Sequence, residues 1–257
     1  MIAPLNSRKI APPMQALLAL LATLLLFTVQ TAFAQLSIRI ADMANYRAID
    51  PLGAFAWISV HHVAQGLLTL LVMAALHLLF GLDFKLGLGD KRLGLRLVLI
   101  VTLGLMVYQL IIAVLFNALG VYKVFPYPIN ATNVLGTLGF QLLLSGTSEE
   151  LLFRALPIVI LSLATDKAFV LFRGKIVLPV AVLISAVLFS VAHINWSLHP
   201  FFIRHMDVPQ LLYTLALGIL QGWVYFKTGS VVYAMMIHGI SNVLVVGYSI
   251  MLPMLFG

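Results

Sequence analysis

Seven apolar runs of about twenty residues or more follow one another along this chain, near 14–34, 57–80, 94–119, 133–163, 177–195, 209–226 and 230–252. A run of that length lets a helix cross the ~30 Å hydrocarbon core of a bilayer, and only helices and closed barrels satisfy their backbone there. The pattern therefore predicts an all-α fold, a polytopic transmembrane bundle of about seven spans. Composition agrees: 62% of the 257 residues are hydrophobic and 9% charged, a balance no water-soluble domain of this size carries without exposing apolar surface. No internal repeat, low-complexity tract or long polar linker separates the runs, so residues 1–257 read as a single membrane domain.

Short cytoplasmic loops are enriched in Lys and Arg, which gives the parse an orientation. With the N-terminus cytoplasmic, the inner loops carry Arg8, Lys9, Lys85, Lys91, Arg92, Arg96, Lys167, Arg173, Lys175 and Lys227. The outer ones carry Arg39, Arg47, Lys123 and Arg204, and Arg154 falls inside a span. Ten against four predicts seven crossings with the C-terminus outside. Size and charge pattern are compatible with a bacterial plasma membrane. The formal charge of +7 then reflects topology and attraction to anionic membrane lipid, with no nucleic-acid partner implied. The first span, 14–34, also has the features of a secretory signal, since Ala32-Phe33-Ala34 precedes Gln35. Its apolar length exceeds the roughly 7–15 residues of a signal core, so it is expected to be retained.

The chain has no cysteine, which removes thiolate metal sites and a thiol nucleophile. Chemistry must come from oxygen and nitrogen groups, and the apolar spans contain few of them. Glu149 and Glu150 are the only glutamates, and they sit side by side in the fourth run, a position that costs about 2.5–3.5 kcal/mol per charge unless function or pairing compensates. At about 100° per residue, Arg154 lies one helical turn from Glu150 and turns away from Glu149. Glu150 and Arg154 can neutralise each other, which leaves Glu149 to face a cavity. Phe189 stands four residues before His193 in the fifth run, and His238 stands four before Asn242 in the seventh, so each pair shares a helical face.

The ordered set Glu-Glu-x-x-x-Arg, Phe-x-x-x-His and His-x-x-x-Asn resembles the CPBP family of glutamic intramembrane proteases, which includes the type II CAAX prenyl proteases and bacteriocin-processing or immunity enzymes. The resemblance covers about 134–252, the expected protease core. It implies hydrolysis of a peptide bond in a membrane-anchored, hydrophobic or lipidated protein segment, without a cofactor, and in a bacterial membrane a peptide anchor or leader is expected over a prenylated tail. Glu149 and His193 would activate water, His238 and Asn242 would stabilise the oxyanion, and Glu150, Arg154 and Phe189 would support them. A carboxylate desolvated in a cavity suits the first task, and two donors on one helical face suit the second.

Rival readings remain beside it. Glu149, His193 and His238 form a two-histidine, one-carboxylate set that zinc accepts, although no His-Glu-x-x-His pair occurs. An aspartyl protease would need Asp90, which reads better as a solvated turn residue after Gly87-Leu88-Gly89. A transporter could also use buried Glu, Arg and His, and an immunity or scaffolding protein could keep the motifs without catalysis. His61, His62 and His77 in the second run are assigned no role beyond packing. Trp57, Trp196 and Trp223 fall near span ends as an aromatic belt would, and Trp196, His199, Arg204 and His205 are expected to form an interfacial loop.

Overall fold

The computed structural model describes residues 11–120, 124–198 and 201–256. Arg8, Lys9, Lys123 and His199 lie outside the described residues. Among the described residues there are seven helical rods: α1 (Pro12–Ala41), α2 (Ala56–Phe80), α3 (Lys91–Ala118), α4 (131–164), α5 (Val180–Val191), α6 (Val208–Thr228) and α7 (Val231–Phe256). Two antiparallel hairpins accompany them, β1 (Ala168–Leu171) with β2 (Ile176–Pro179), and β3 (Asn195–Leu198) with β4 (Phe201–His205). The fold is a helical membrane bundle, and the chain is an integral membrane protein. By length and apolarity, four helices can each cross a membrane: Pro12–Ala41, Ala56–Phe80, Lys91–Ala118 and Val231–Met251.

Local chemistry sets where the rods begin and end. α1 starts on a proline pair, whose missing N–H groups cost nothing in a first turn. Asp90, Asn130 and Asp207 cap α3, α4 and α6, each accepting from a backbone N–H three residues on. α2 and α6 stop at Gly81 and Gly229, both in the left-handed conformation. Asp90 is thus a helix cap, and its amide also donates to the Thr228 carbonyl at 2.8 Å, tying the start of α3 to the end of α6.

The fifth run departs from expectation. Instead of a helix over 177–195, residues Ile176–Pro179 form a strand and α5 spans only the 12 residues Val180–Val191. At ~1.5 Å per residue that is about 18 Å, well short of the hydrocarbon core. Pro179 precedes the helix and fixes its start, and the chain turns at 192–194 into β3. Apolarity alone cannot distinguish a strand plus a half-length helix from one spanning helix.

α4 is the centre of the bundle. It packs against α1, α2, α5, α6 and α7, and every residue from Leu151 to Val159 is buried. Two π-helical turns interrupt it, Gln141–Ser145 and Leu151–Ala155, on either side of the segment Gly146–Glu150. Such turns add a residue to the helical circuit and recur at functional sites. Glycines allow the neighbours to come close: a Cβ on Gly239 of α7 would lie 2.5 Å from the Leu142 carbonyl oxygen, and one on Gly146 would lie 2.9 Å from the Gly239 nitrogen. α5 and α6 meet through Gly218 against Ala186 and Gly222 against Val182, a small-xxx-small contact.

Candidate active site

The central segment of α4 presents its two glutamates to different surroundings. Glu150 is fully buried, while the Glu149 side chain keeps 18% exposure and lines a cavity of about 320 Å³. Arg154, one turn on, places Nη2 3.3 Å from Glu150 Oε1, as their spacing predicts. The guanidinium also donates to Gln221 of α6 and lies 4.0 Å from the centre of the Phe189 ring. A buried ion pair of this kind survives only with such further partners.

α7 supplies His238, which stands between the two carboxylates. Its Nδ1 lies 2.8 Å from Glu150 Oε1 and its Nε2 3.3 Å from Glu149 Oε2. One imidazole thus bridges the fully buried carboxylate and the one that faces the cavity. The close Gly146–Gly239 crossing, one residue from His238, brings the imidazole within reach.

His193 does not sit on a helix as expected; it follows Ala192, the C-cap of α5. Because α5 is short, the residue beyond its end still lies inside the bundle, on the same cavity as Glu149. Its Nδ1 lies 2.9 Å from the Phe189 carbonyl, which can only accept, so Nδ1 carries the proton and Nε2 holds the lone pair of the neutral ring. Phe189 packs edge-on against His193 at 4.7 Å, His238 at 5.7 Å and Phe153 at 5.3 Å. It is the spacer around which the other groups are arranged.

Asn242 meets a different partner. Its amide donates to Ser145 Oγ at 3.1 Å and, like His238, it is not among the cavity-lining residues. Shared helical phase brings His238 and Asn242 to α4, but His238 meets the glutamates and Asn242 meets the first π-helical turn.

His62 of α2 was assigned only packing, yet it reaches the site. Its Nε2 lies 3.8 Å from Glu149 Oε1 and its Nδ1 2.8 Å from Ser148 Oγ. A lone histidine in an apolar run gave no spacing signal; the signal available was that it shares a span with Gln65, both polar in a segment otherwise rich in Leu and Val. His61, Gln65, Gln30 and Trp196 also line the cavity, so Trp196 borders the site and β3 forms part of its wall. Gln30 ties α1 to α4 by donating to the Leu152 carbonyl at 3.2 Å. Among the described residues, no three His, Asp or Glu side chains are grouped as a metal ion requires.

Comparison with known proteins bears on this geometry. Residues 131–244 match the family model described as type II CAAX prenyl endopeptidase Rce1-like. That segment contains Glu149, Glu150, Arg154, Phe189, His193, His238 and Asn242, and leaves out α1, α2 and α3. No curated protein and no solved structure matches the chain.

Proposed function

Because residues 131–244 match the model of the Rce1-like type II CAAX prenyl endopeptidases, we propose that the chain is an intramembrane endopeptidase of glutamic type, cutting a membrane-anchored, hydrophobic or lipidated protein segment. The observation that carries this reading is the unequal treatment of the two acids: Glu150 is held by Arg154 and His238 away from the cavity, while Glu149 faces the cavity opposite His193.

In the proposed reaction, Glu149 and His193 Nε2 are the two proton acceptors on the cavity. A water held between them loses a proton as its oxygen adds to the scissile carbonyl carbon, and the proton passes to the amine as the C–N bond breaks. Each event requires the acceptor to remain aimed, which the burial of Phe189 and the fixed tautomer of His193 favour. The resemblance gave His238 and Asn242 the oxyanion. The geometry favours a different division, with His238 steadying Glu149 and Asn242 anchoring Ser145. The cavity wall mixes the amides of Gln30 and Gln65 with the rings of Phe27 and Phe153, which suits a peptide main chain carrying an apolar neighbour.

The test is cleavage by the purified protein of an internally quenched peptide ending in a prenylated CAAX sequence, before and after exhaustive chelation. Glu149→Gln is expected to lower kcat by about 10²–10⁴-fold, the range for loss of a general base, and chelation is expected to leave the wild-type rate intact. Wild-type activity from Glu149→Gln would overturn the assignment of the base. Activity lost on chelation and restored by zinc would replace it with the reading in which Glu149, His193 and His238 hold a metal.

We also propose that α1 is retained, since Gln30 bonds to α4 and lines the cavity with Phe27. The charge asymmetry supports a cytoplasmic N-terminus and an outer C-terminus, with α5 and the β3–β4 hairpin together replacing one full-length span. A reporter fused after Gly257 should then read as outside, and one inserted at Gly174 of the β1–β2 hairpin as inside.

A further inference from the structure

His62 lies outside the segment 131–244 that carries the protease motifs, yet it touches two consecutive residues of α4 at the point where the proposed base stands. Its hydrogen bonding has a direction. A carboxylate oxygen can only accept, so the ring nitrogen that faces Glu149 carries the proton, and Nδ1 accepts the Ser148 hydroxyl at 2.8 Å, the shorter of that hydroxyl's two contacts, the Ser145 carbonyl lying at 3.2 Å. The opposite nitrogen, Nε2, is turned to Glu149 Oε1 at 3.8 Å, while His238 Nε2 addresses Oε2 at 3.3 Å.

Packing holds the ring in that attitude. Phe140 lies edge-on at 5.0 Å and His61 at 5.2 Å, and His61 is itself stacked on Trp57. One turn along α2, a Cβ on Gly66 would lie 3.4 Å from Ser148 Cβ, so α2 and α4 are in contact just beyond the imidazole. A glutamate has three rotatable bonds, and a partner on one oxygen alone leaves the carboxylate free to turn about the last of them.

We propose that His62 is a positioning residue of the active site. It fixes the Ser148–Glu149 turn through Nδ1 and confines the Glu149 carboxylate from the side opposite His238 through Nε2, so that the base stays aimed into the cavity. The inference rests on Glu149 being the base, and it assigns α2, which the family segment does not include, a part in the reaction.

Two measurements on the full chain in micelles test it. In the first, histidine-labelled protein gives imidazole 15N spectra for wild type and Glu149→Gln, with His62→Asn identifying the His62 signals. The expected result is that Glu149→Gln moves the Nε2 signals of both His62 and His238 and leaves His77, which bonds the Leu82 carbonyl, in place. An unmoved His62 signal would overturn the proposal. This arm needs no substrate, so it decides the His62 contact even if the prenylated peptide is not cut and the functional reading fails.

In the second, the quenched prenylated peptide is cleaved by His62→Ala and His62→Asn. His62→Ala is expected to lower kcat by about 100-fold, the scale of a 1 Å misplacement, with KM changed by less than about threefold. His62→Asn, whose side-chain amide can still pair with the Ser148 hydroxyl, should recover about tenfold of that loss. An unchanged kcat in His62→Ala, or no recovery in His62→Asn, would overturn the positioning role.

Discussion

α3 and α4 are both long apolar helices, and the membrane uses them in opposite ways. α3 exposes Leu95, Leu99, Leu103, Val107 and Ile111 and buries only the narrow stripe of Gly94, Val98, Leu105, Gln109 and Ala113. α4 is buried all round from Leu151 to Val159, breaks its own helix twice, and carries both glutamates. In water, burial and apolarity go together; in a bilayer they separate, because lipid tails are as apolar as a protein core. What distinguishes the inner helix is therefore its polar side chains and its small residues, and no excess of hydrophobicity marks it. Substitutions in α4 should be costly and those in α3 mild, which makes the contrast measurable.

The largest stability effect should come from unbalancing the buried ion pair. Arg154→Ala leaves Glu150 fully buried with only His238 to face it, and Glu150→Gln leaves the guanidinium without its carboxylate counter-charge, facing neutral groups such as the Gln221 amide and the Phe189 ring. Each is expected to cost about 3–5 kcal/mol, read as a fall in the unfolding midpoint in micelles together with loss of cleavage. Gln109→Ala on α3 removes a part-buried contact with Tyr213 and should cost about 1 kcal/mol with activity retained. Equal losses in the two helices would break the comparison.

The Glu150–Arg154 contact was legible because one helical turn is a local relation that survives any tertiary arrangement. The grouping of Glu149, His193 and His238 was legible through the ordered motifs. The missed features are relations between helices. His62 meets Glu149 because Gly66 lets α2 touch Ser148, and no periodicity within α2 encodes that crossing. The length of α5 was misread because Ile176–Pro179 is as apolar in a strand as in a helix. Asn242 follows its helical phase to α4, where its partner is Ser145 of the neighbouring π-helical turn, a contact that helical phase alone does not name.

Glycine substitutions sharpen the comparison at lower cost. A methyl group on Gly239 would press on the Leu142 carbonyl at 2.5 Å, backbone that cannot turn aside, and would push α7 and His238 away from Glu149. Gly239→Ala is expected to destabilise by about 1–3 kcal/mol and to reduce cleavage more than stability accounts for. Gly104 of α3 has nothing within 4 Å of its would-be Cβ, so Gly104→Ala should stabilise by up to about 1 kcal/mol through helix propensity alone. Opposite signs for the same chemical change would locate the close-packed helix without reference to sequence motifs.

The smallest effect concerns a carboxylate outside both helices, where stability and chemistry should come apart. Asp50, in the turn between α1 and α2, is nearly fully buried, and its oxygens accept the Ala54, Phe55 and Ala56 amides at 2.7–2.8 Å, at the start of α2. Burial by itself would raise its pKa; the backbone donors, led by Ala56, outweigh it and hold the carboxyl below the usual aspartate value. A lowered folded-state pKa means stability that is complete above the unfolded value of about 3.9 and is lost as pH falls through the folded one. Asp50→Asn is therefore expected to cost about 1 kcal/mol at pH 7, as for loss of a helix cap, and to remove that part of the acid-side fall in stability. Because α2 carries His62 six residues on from Ala56, the same variant reads whether the capped end merely starts the helix or also sets the site: kcat at a temperature well below unfolding should stay within about twofold of wild type. A larger fall in kcat would mean that the α1–α2 turn, and not α4 alone, holds the glutamate in register.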